Sequence, residues 1–236
     1  MIFILNNQAE NEKFYNLVIW LRGLSMSLAS TPKEIDESVA DFCKEVVKDS
    51  LPYYVNVVPE PWSEANECFH NVAKKVESEG GNIIYGWQVW LWPEVFIEAE
   101  FHAIWQSPSG ECIDITPKQC QSDNILFIPD SKMTYQGADV DNIRNKLSPN
   151  KLIDDFITLA KCRFQLVSGG KNGKKKEVSV PEHELNTLTQ LHQMVFQMLK
   201  EEKTQNAMCL CNSGSKYKHC HKKNVLQLSK YYGVAI

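Results

Sequence analysis

Thirteen residues near the C-terminus constrain this chain most: Cys209-Leu-Cys211-Asn-Ser-Gly-Ser-Lys-Tyr-Lys-His-Cys220-His221. Two thiols one residue apart, then eight residues, then an adjacent Cys and His, supply four soft donors in a span short enough to close on one ion. Zinc prefers such a set, because thiolate and imidazole satisfy a tetrahedral ion without redox chemistry. Between the pairs, Asn212-Ser-Gly214 and Lys216-Tyr-Lys218 suit a tight turn that folds Cys220 and His221 back onto Cys209 and Cys211. Four protein ligands leave no position open for water, so the expected Zn2+ is structural and not a catalyst.

The stretch resembles the SEC-C motif, whose usual pattern is Cys-x-Cys-Gly-Ser-Gly-x-Lys-Tyr-Lys-x-Cys-Cys/His. All four ligands match, as do Ser213, Gly214, Lys216, Tyr217 and Lys218, and Asn206 upstream also fits. Leu210 stands where Pro is usual and Asn212 where Gly is usual; Asn tolerates left-handed backbone angles, so the turn survives that change. The resemblance implies a docking device that tethers the chain to a protein or ribonucleoprotein. It covers a small fraction of the sequence and says nothing of the remainder.

The remainder has room for one sizeable domain with appendages in 236 residues, and 43% hydrophobic content with six Trp, eight Tyr and ten Phe can fill a core. A net charge of −4 argues against a protein built mainly to coat nucleic acid. The opening Met-Ile-Phe-Ile-Leu-Asn-Asn is too short and lacks the basic flank for a signal peptide or membrane span. Eight Cys without framework spacing fit a reducing compartment, so a cytoplasmic protein is the expectation.

Apolar spacing predicts a helix over 9–30, and Thr31-Pro32 reads as the start of another to about 49. Leu51 to Pro59 reads as a strand, and Ser63 as the cap of a helix through Cys68, Val72 and Val76 that ends at Gly80-Gly81. Strands are expected over 82–92, 95–105 and 112–116, with a short edge strand at 125–128. Helices follow at 139–147, 150–163 and 181–203, the last with an apolar stripe of Leu185, Leu188, Leu191, Val195 and Leu199. In domain terms this gives N-terminal helices over 1–50, an α+β core over 51–166 and a basic loop over 167–180. A connecting helix over 181–205, the knuckle over 206–222 and a tail over 223–236 complete the chain, and the tail is apolar enough for part of it to pack back.

Within the core, Cys68 on a helix is followed by His102 on a strand and Asp114 on the next. A thiol is a poor nucleophile until ionised, so a neighbouring base and a helix N-terminus are the groups that would activate it. If the hairpin pivots on Pro108, His102 lies directly across from Asp114 on one face of the sheet, where the carboxylate can fix the ring tautomer. A one-residue slip would put them on opposite faces.

The segments Glu98-Ala-Glu-Phe-His102-Ala-Ile-Trp105 and Gly110-Glu-Cys-Ile-Asp114-Ile-Thr-Pro117 resemble the transglutaminase-like branch of the papain-like cysteine fold. There a His-Ala-Trp-type strand precedes an Asp-Pro-Thr-type strand and a Cys opens a helix upstream. Asn66-Glu67-Cys68 lacks the usual Gly-x-Cys start, and Asp114-Ile-Thr-Pro replaces Asp-Pro-Thr. The resemblance implies an antiparallel sheet with packed helices, Cys68 as nucleophile, His102 as general base and Asp114 as orienter. The Cys68 amide, with Asn56 or Asn66, would face an oxyanion, in hydrolysis or transfer at an amide or thioester of a protein or peptide.

Other readings stand beside this one. Cys68 next to Phe69 and Val72 can be plain core, with His102 and Asp114 in a structural network. His70 faces away from Cys68 along the helix. Glu98 and Glu100 can be read as an acid/base pair or, with His102, as metal ligands, and Trp87, Trp90, Trp92 and Trp105 as core or as walls of a groove. Two further functional readings are a non-enzymatic adaptor that works only through the knuckle, and nucleic-acid contact through the knuckle and Lys171–Lys176.

Overall fold

The structure is a computed structural model and describes residues 28–118, 122–168 and 180–235. The helix expected over 9–30 lies almost wholly outside the described residues, as does most of the basic stretch at 168–176. Two compact units are present: one holds 28–136 and 140–145, the other 137–139 and 146–235. The first is built on a sheet and the second on helices.

The sheet unit contains α1 (Glu37–Val46), β1 (Tyr53–Val57), α2 (Cys68–Glu79), β2 (Asn82–Trp92), β3 (Phe96–Gln106), β4 (Cys112–Asp114), β5 (Asn124–Pro129) and β6 (Ile143–Lys146), whose final residue crosses into the second unit. Strand order is β2-β5-β1-β4-β3-β6, and β2 also pairs with β3. The five strands other than β6 therefore close on themselves as a small barrel. Within the barrel the pairs are antiparallel except β1–β4, which runs parallel through Asn56↔Ile113 and Val57↔Asp114, so the all-antiparallel expectation is corrected there. The long β2–β3 hairpin pairs without interruption from Asn82↔Gln106 to Trp92↔Phe96.

That unbroken register fixes which side chains share a face, because successive residues alternate across the sheet. Ile104 packs inside the barrel with Val55, Ile125 and Phe127. Ala103 and Trp105 point the other way, onto Val72 of α2, together with Ile115. His102 accordingly shares the interior side with Ile104. Gly86, directly across from His102, admits no side chain, since a Cβ would lie 2.2 Å from the Ile128 carbonyl oxygen.

Several expectations change for identifiable reasons. β5 is central, between β2 and β1, and its continuous run Ile125-Leu126-Phe127-Ile128 is apolar because both of its faces are buried. The helix expected from Thr31 starts at Glu37: the Thr31 hydroxyl donates to the Asn124 carbonyl (3.1 Å), and Asp36 caps the helix by accepting the Val39 N–H (2.9 Å). Ser63 likewise spends its hydroxyl on Glu60 (2.7 Å), leaving α2 to begin at Cys68 after the left-handed Asn66 (φ 67°). The helix expected over 139–147 is replaced by β6. Arg144 there is buried against Glu98 and donates to Asp141 (3.0 Å), a pairing that outweighs weak helical spacing.

In the helical unit, α3 (Lys151–Ser168) and α4 (Glu182–Lys200) pack together, and α5 (Lys222–Tyr232) lies against α3. The expected stripe of Leu185, Leu188, Leu191, Val195 and Leu199 is buried along α4. The apolar tail forms α5, which buries Val225 and leaves Leu226 and Tyr231 exposed. Among the described residues no helix is long and apolar enough to cross a membrane.

Candidate functional site

The helical unit carries a cluster of residues that could hold a metal ion. Cys209, Cys211, Cys220 and His221 offer donor atoms that all lie within 4.8 Å of one another. The local backbone explains how. Asn212 (φ 58°) and Gly214 (φ 73°) both take left-handed angles, and the Cys209 N–H donates to the Ser215 carbonyl (2.9 Å), closing the first loop. A 3₁₀ turn over Tyr217–His219 then delivers Cys220, and His221 sits at the mouth of α5. Cys209 Sγ and Cys220 Sγ lie 3.2 and 3.3 Å from His221 Nδ1, and Cys211 Sγ lies 3.5 Å from Cys220 Sγ.

The thiols differ in surroundings. Burial pushes Cys209 up to about 11, whereas hydrogen bonds from Ser213 lower Cys211 to about 6. A divalent ion at the centre would ionise all three thiols and override these differences. Three sulfurs and one imidazole nitrogen converging this closely fit a four-coordinate metal ion with no position left open.

The cluster is anchored to its unit by Asp155 of α3, which is fully buried. Its Oδ2 accepts from Gln205 Nε2 (2.7 Å), and its Oδ1 is paired with Lys222. Burial raises the Asp155 carboxyl, against the opposing pull of Lys222. Tyr217, fully buried beside it, is raised by desolvation first and by Asp155 second. The residues that flank the ligands thus tie the knuckle to α3.

The sheet unit holds the second cluster. His102 Nε2 and Asp114 Oδ2 are 2.9 Å apart and buried. The hairpin register Trp105↔Ile113 and Gln106↔Cys112 places Ile104, not His102, across from Asp114 when continued inward. The pivot therefore lies one residue beyond Pro108, at Ser109, which shifts the opposed partner by two; that shift preserves parity, so His102 and Asp114 still share a face and meet diagonally. Asp114 Oδ1 accepts the Thr116 N–H (3.0 Å). Asn71 donates to Thr116 Oγ1 (3.2 Å) and to the Glu64 carbonyl (2.8 Å), which holds the turn before α2 against the end of β4.

Lys118 completes the cluster and was not singled out in the sequence. It pairs with Asp114, donates to Gln88 Oε1 (2.9 Å) and lies 3.3 Å from His102 Nε2. The Asp114-to-Lys118 spacing of four residues was the available signal. Burial and Lys118 both push the His102 imidazole down; Asp114, by charge and hydrogen bond, and the charge on Cys68 outweigh them and raise it to about 9. Asp114 is held well below the usual carboxylate range by His102 and Lys118 despite its burial. Nε2 must carry a proton to bond Asp114, so Lys118 meets it as one donor beside another.

Cys68 is the first residue of α2, at the positive end of the helix. Among the described residues no hydrogen bond joins it to His102. α2 packs through Val72 on the outer side of β3, whereas His102 is directed to the interior side. Cys68 is near enough for its charge to act on the ring. The structure therefore brings His102 and Asp114 into contact and leaves Cys68 close by but unbonded.

The remaining candidates separate. Glu98 is paired with Arg144, and Glu100 accepts from Trp90 Nε1 (3.0 Å), so the two carboxylates are spent individually. The exposed His70 bonds Glu67 (2.7 Å), Asn56 lies exposed in β1, and the four Trp are buried. Among the described residues the knuckle is the one group of three or more potential ligands that converges.

A comparison with protein families matches residues 206–223 to the SEC-C motif. No curated protein and no solved structure matches the chain.

Two outcomes follow from this geometry. His102 has its folded value raised above the ordinary 6.5, so its contribution is complete below about 6.5 and is lost as pH rises through about 9. Urea unfolding of the sheet unit should lose roughly 1–3 kcal/mol between these limits, and His102→Gln should flatten that slope. Removing the metal with a strong chelator should abolish protection of residues 203–232 in hydrogen exchange while β2, β3 and β5 keep theirs. Cooperative loss of protection in both units would show that the metal holds more than its own unit.

Proposed function

We propose that this protein is a zinc-dependent docking protein: the SEC-C segment binds one structural Zn2+ through Cys209, Cys211, Cys220 and His221 and attaches the chain to an acidic protein surface. The convergence of four donors within 4.8 Å carries this reading, because a filled tetrahedron shapes a surface and leaves no position for substrate. Charge supports the rest. Residues 203–236 contain six lysines and no Asp or Glu, in a chain whose net charge is −4. Lys216, Lys223 and Lys230 are exposed, beside exposed Leu226 and Tyr231 on α5. Such a face gains specificity and association rate from an acidic partner, with apolar side chains supplying contact area.

The test compares immobilised full-length wild type, Cys211→Ser and a Lys216→Glu/Lys223→Glu/Lys230→Glu variant, each challenged with cell extract with and without ribonuclease. A partner retained by wild type should fall about tenfold or more with both variants, the charge-reversed one still holding its metal. Equal retention by all three would sink the reading. Loss of the partner on ribonuclease treatment would replace the acidic protein with a ribonucleoprotein.

A second reading keeps thiol chemistry in the sheet unit, on a papain-like or transglutaminase-like scaffold. It is favoured by the His102–Asp114 contact and by Cys68 at the start of α2. With Nε2 committed to Asp114, Nδ1 would be the nitrogen that takes the thiol proton. Attack of the thiolate on an amide or thioester carbon would expel amine or thiol, and water or an amine would then resolve the acyl-enzyme. The docking reading expects Cys68 alkylation at neutral pH to be unaffected by His102→Ala, with mass mapping used to separate it from other thiols. A fall of about tenfold in that rate would establish the second reading instead.

A further inference from the structure

Among the described residues Cys211 is the one exposed cysteine. Cys43, Cys68, Cys162 and Cys209 are buried, and Cys112 and Cys220 are half-buried. The most accessible thiol is therefore one of the four candidate metal ligands, and the reagents that reach it first are those dissolved in the solvent.

Cys211 also has a sulfur partner within reach. Its Sγ lies 3.5 Å from Cys220 Sγ, and Ser213 Oγ lies 3.3 Å from the same Cys220 sulfur. The eight residues between the two cysteines turn back through left-handed Asn212 (φ 58°) and Gly214 (φ 73°), so the backbone already holds the sulfurs together. Cys209 is placed differently. It is 4% exposed, and its sulfur lies against Met194 Sδ (3.7 Å) and His221 Nδ1 (3.2 Å). With only Leu210 between them, a bond from Cys209 to Cys211 would close a small ring that strains the preferred disulfide geometry. Access and proximity together single out Cys211 and Cys220.

We infer that Cys211 and Cys220 form a peroxide-sensitive pair, whose oxidation to a disulfide releases the metal and dismantles the docking face. This rests on the zinc site of the docking reading, though not on its partner. In the first step the Cys211 thiolate attacks one oxygen of hydrogen peroxide; the O–O bond breaks, hydroxide leaves and a sulfenic acid forms. The Cys220 thiolate then attacks that sulfur, the S–O bond breaks and a second hydroxide leaves. The two sulfurs together give up two electrons and the peroxide takes both, so no other oxidant enters. Cys209 and His221 remain, and two ligands do not fill a tetrahedral site.

The test treats full-length protein, its metal content measured beforehand, with a small excess of hydrogen peroxide. A colorimetric chelator follows released zinc, and alkylation of the remaining thiols with mass mapping reads the pairing. Metal release should run in step with a Cys211–Cys220 disulfide while Cys209 stays open to alkylation. Dithiothreitol with added zinc should then restore the starting state. Cys211→His replaces the exposed sulfur with another zinc ligand and should slow release about tenfold or more. A first disulfide that includes Cys209, earlier oxidation of any other thiol, full metal retention, or unchanged release in Cys211→His overturns the inference. If Cys211→His holds no metal, the pairing mapped in the wild type still decides. Protein that carries no zinc beforehand and takes none up sinks the zinc reading and this inference with it; a loaded site that resists peroxide sinks this inference alone.

Discussion

The Asp114 carboxylate has no contact with solvent, and an unpaired charge in that position would cost the fold several kcal/mol. Much of the sheet unit's polar arrangement answers that demand. His102 and Lys118 both point at Oδ2, the Thr116 N–H satisfies Oδ1, and Gln88 takes another proton of Lys118. These groups come from β2, β3 and the end of β4, so the barrel must close for the carboxylate to be satisfied. The apolar half of the interior, Val55, Ile104, Ile125 and Phe127, supplies most of the burial energy. The polar half instead selects one register, since a slip by one residue would bury the charge and remove its partners.

The helical unit repeats the device with a second fully buried carboxylate. Asp155 on α3 is satisfied by Gln205 before the knuckle and Lys222 after it. A metal ion at the four ligands and this carboxylate would act on the same segment from two sides: the ion would hold the ligands together, while Asp155 holds the ends of the closed loop on α3.

How much of this was legible in the sequence depended on whether the signal was local. β2 is found at its expected bounds, β3 is displaced by one residue, and the α4 stripe is buried as its spacing implied. The knuckle was legible for the same reason, since its ligands and left-handed turn positions lie within thirteen residues. What failed depended on distant partners. Thr31 and Ser63 look like caps, but their hydroxyls are claimed by Asn124 and Glu60, and a cap signal does not show who else competes for the oxygen. The segment 125–128 reads as a short edge strand, yet its apolar run is continuous and not alternating, which is the mark of a strand covered on both faces. Lys118 escaped notice because a lysine after a strand is ordinarily solvated, and only closure of the barrel turns it inward.

The Cys68–His102–Asp114 order shows where linear spacing stops being informative. Spacing along β3 and β4 correctly puts His102 and Asp114 on one face, because parity survives a two-residue error in register. Spacing says nothing of which face α2 will cover. Ala103, Trp105 and Ile115 are the apolar residues that receive Val72, and they alternate with His102 and Asp114. Burying α2 on that apolar side commits the polar residues to the other, where Lys118 competes for the same nitrogen and carboxylate. The hydrophobic pattern that docks the helix thus sets Val72 on the side away from His102, while Cys68, the first residue of the helix, stays near enough for its charge to act on the ring.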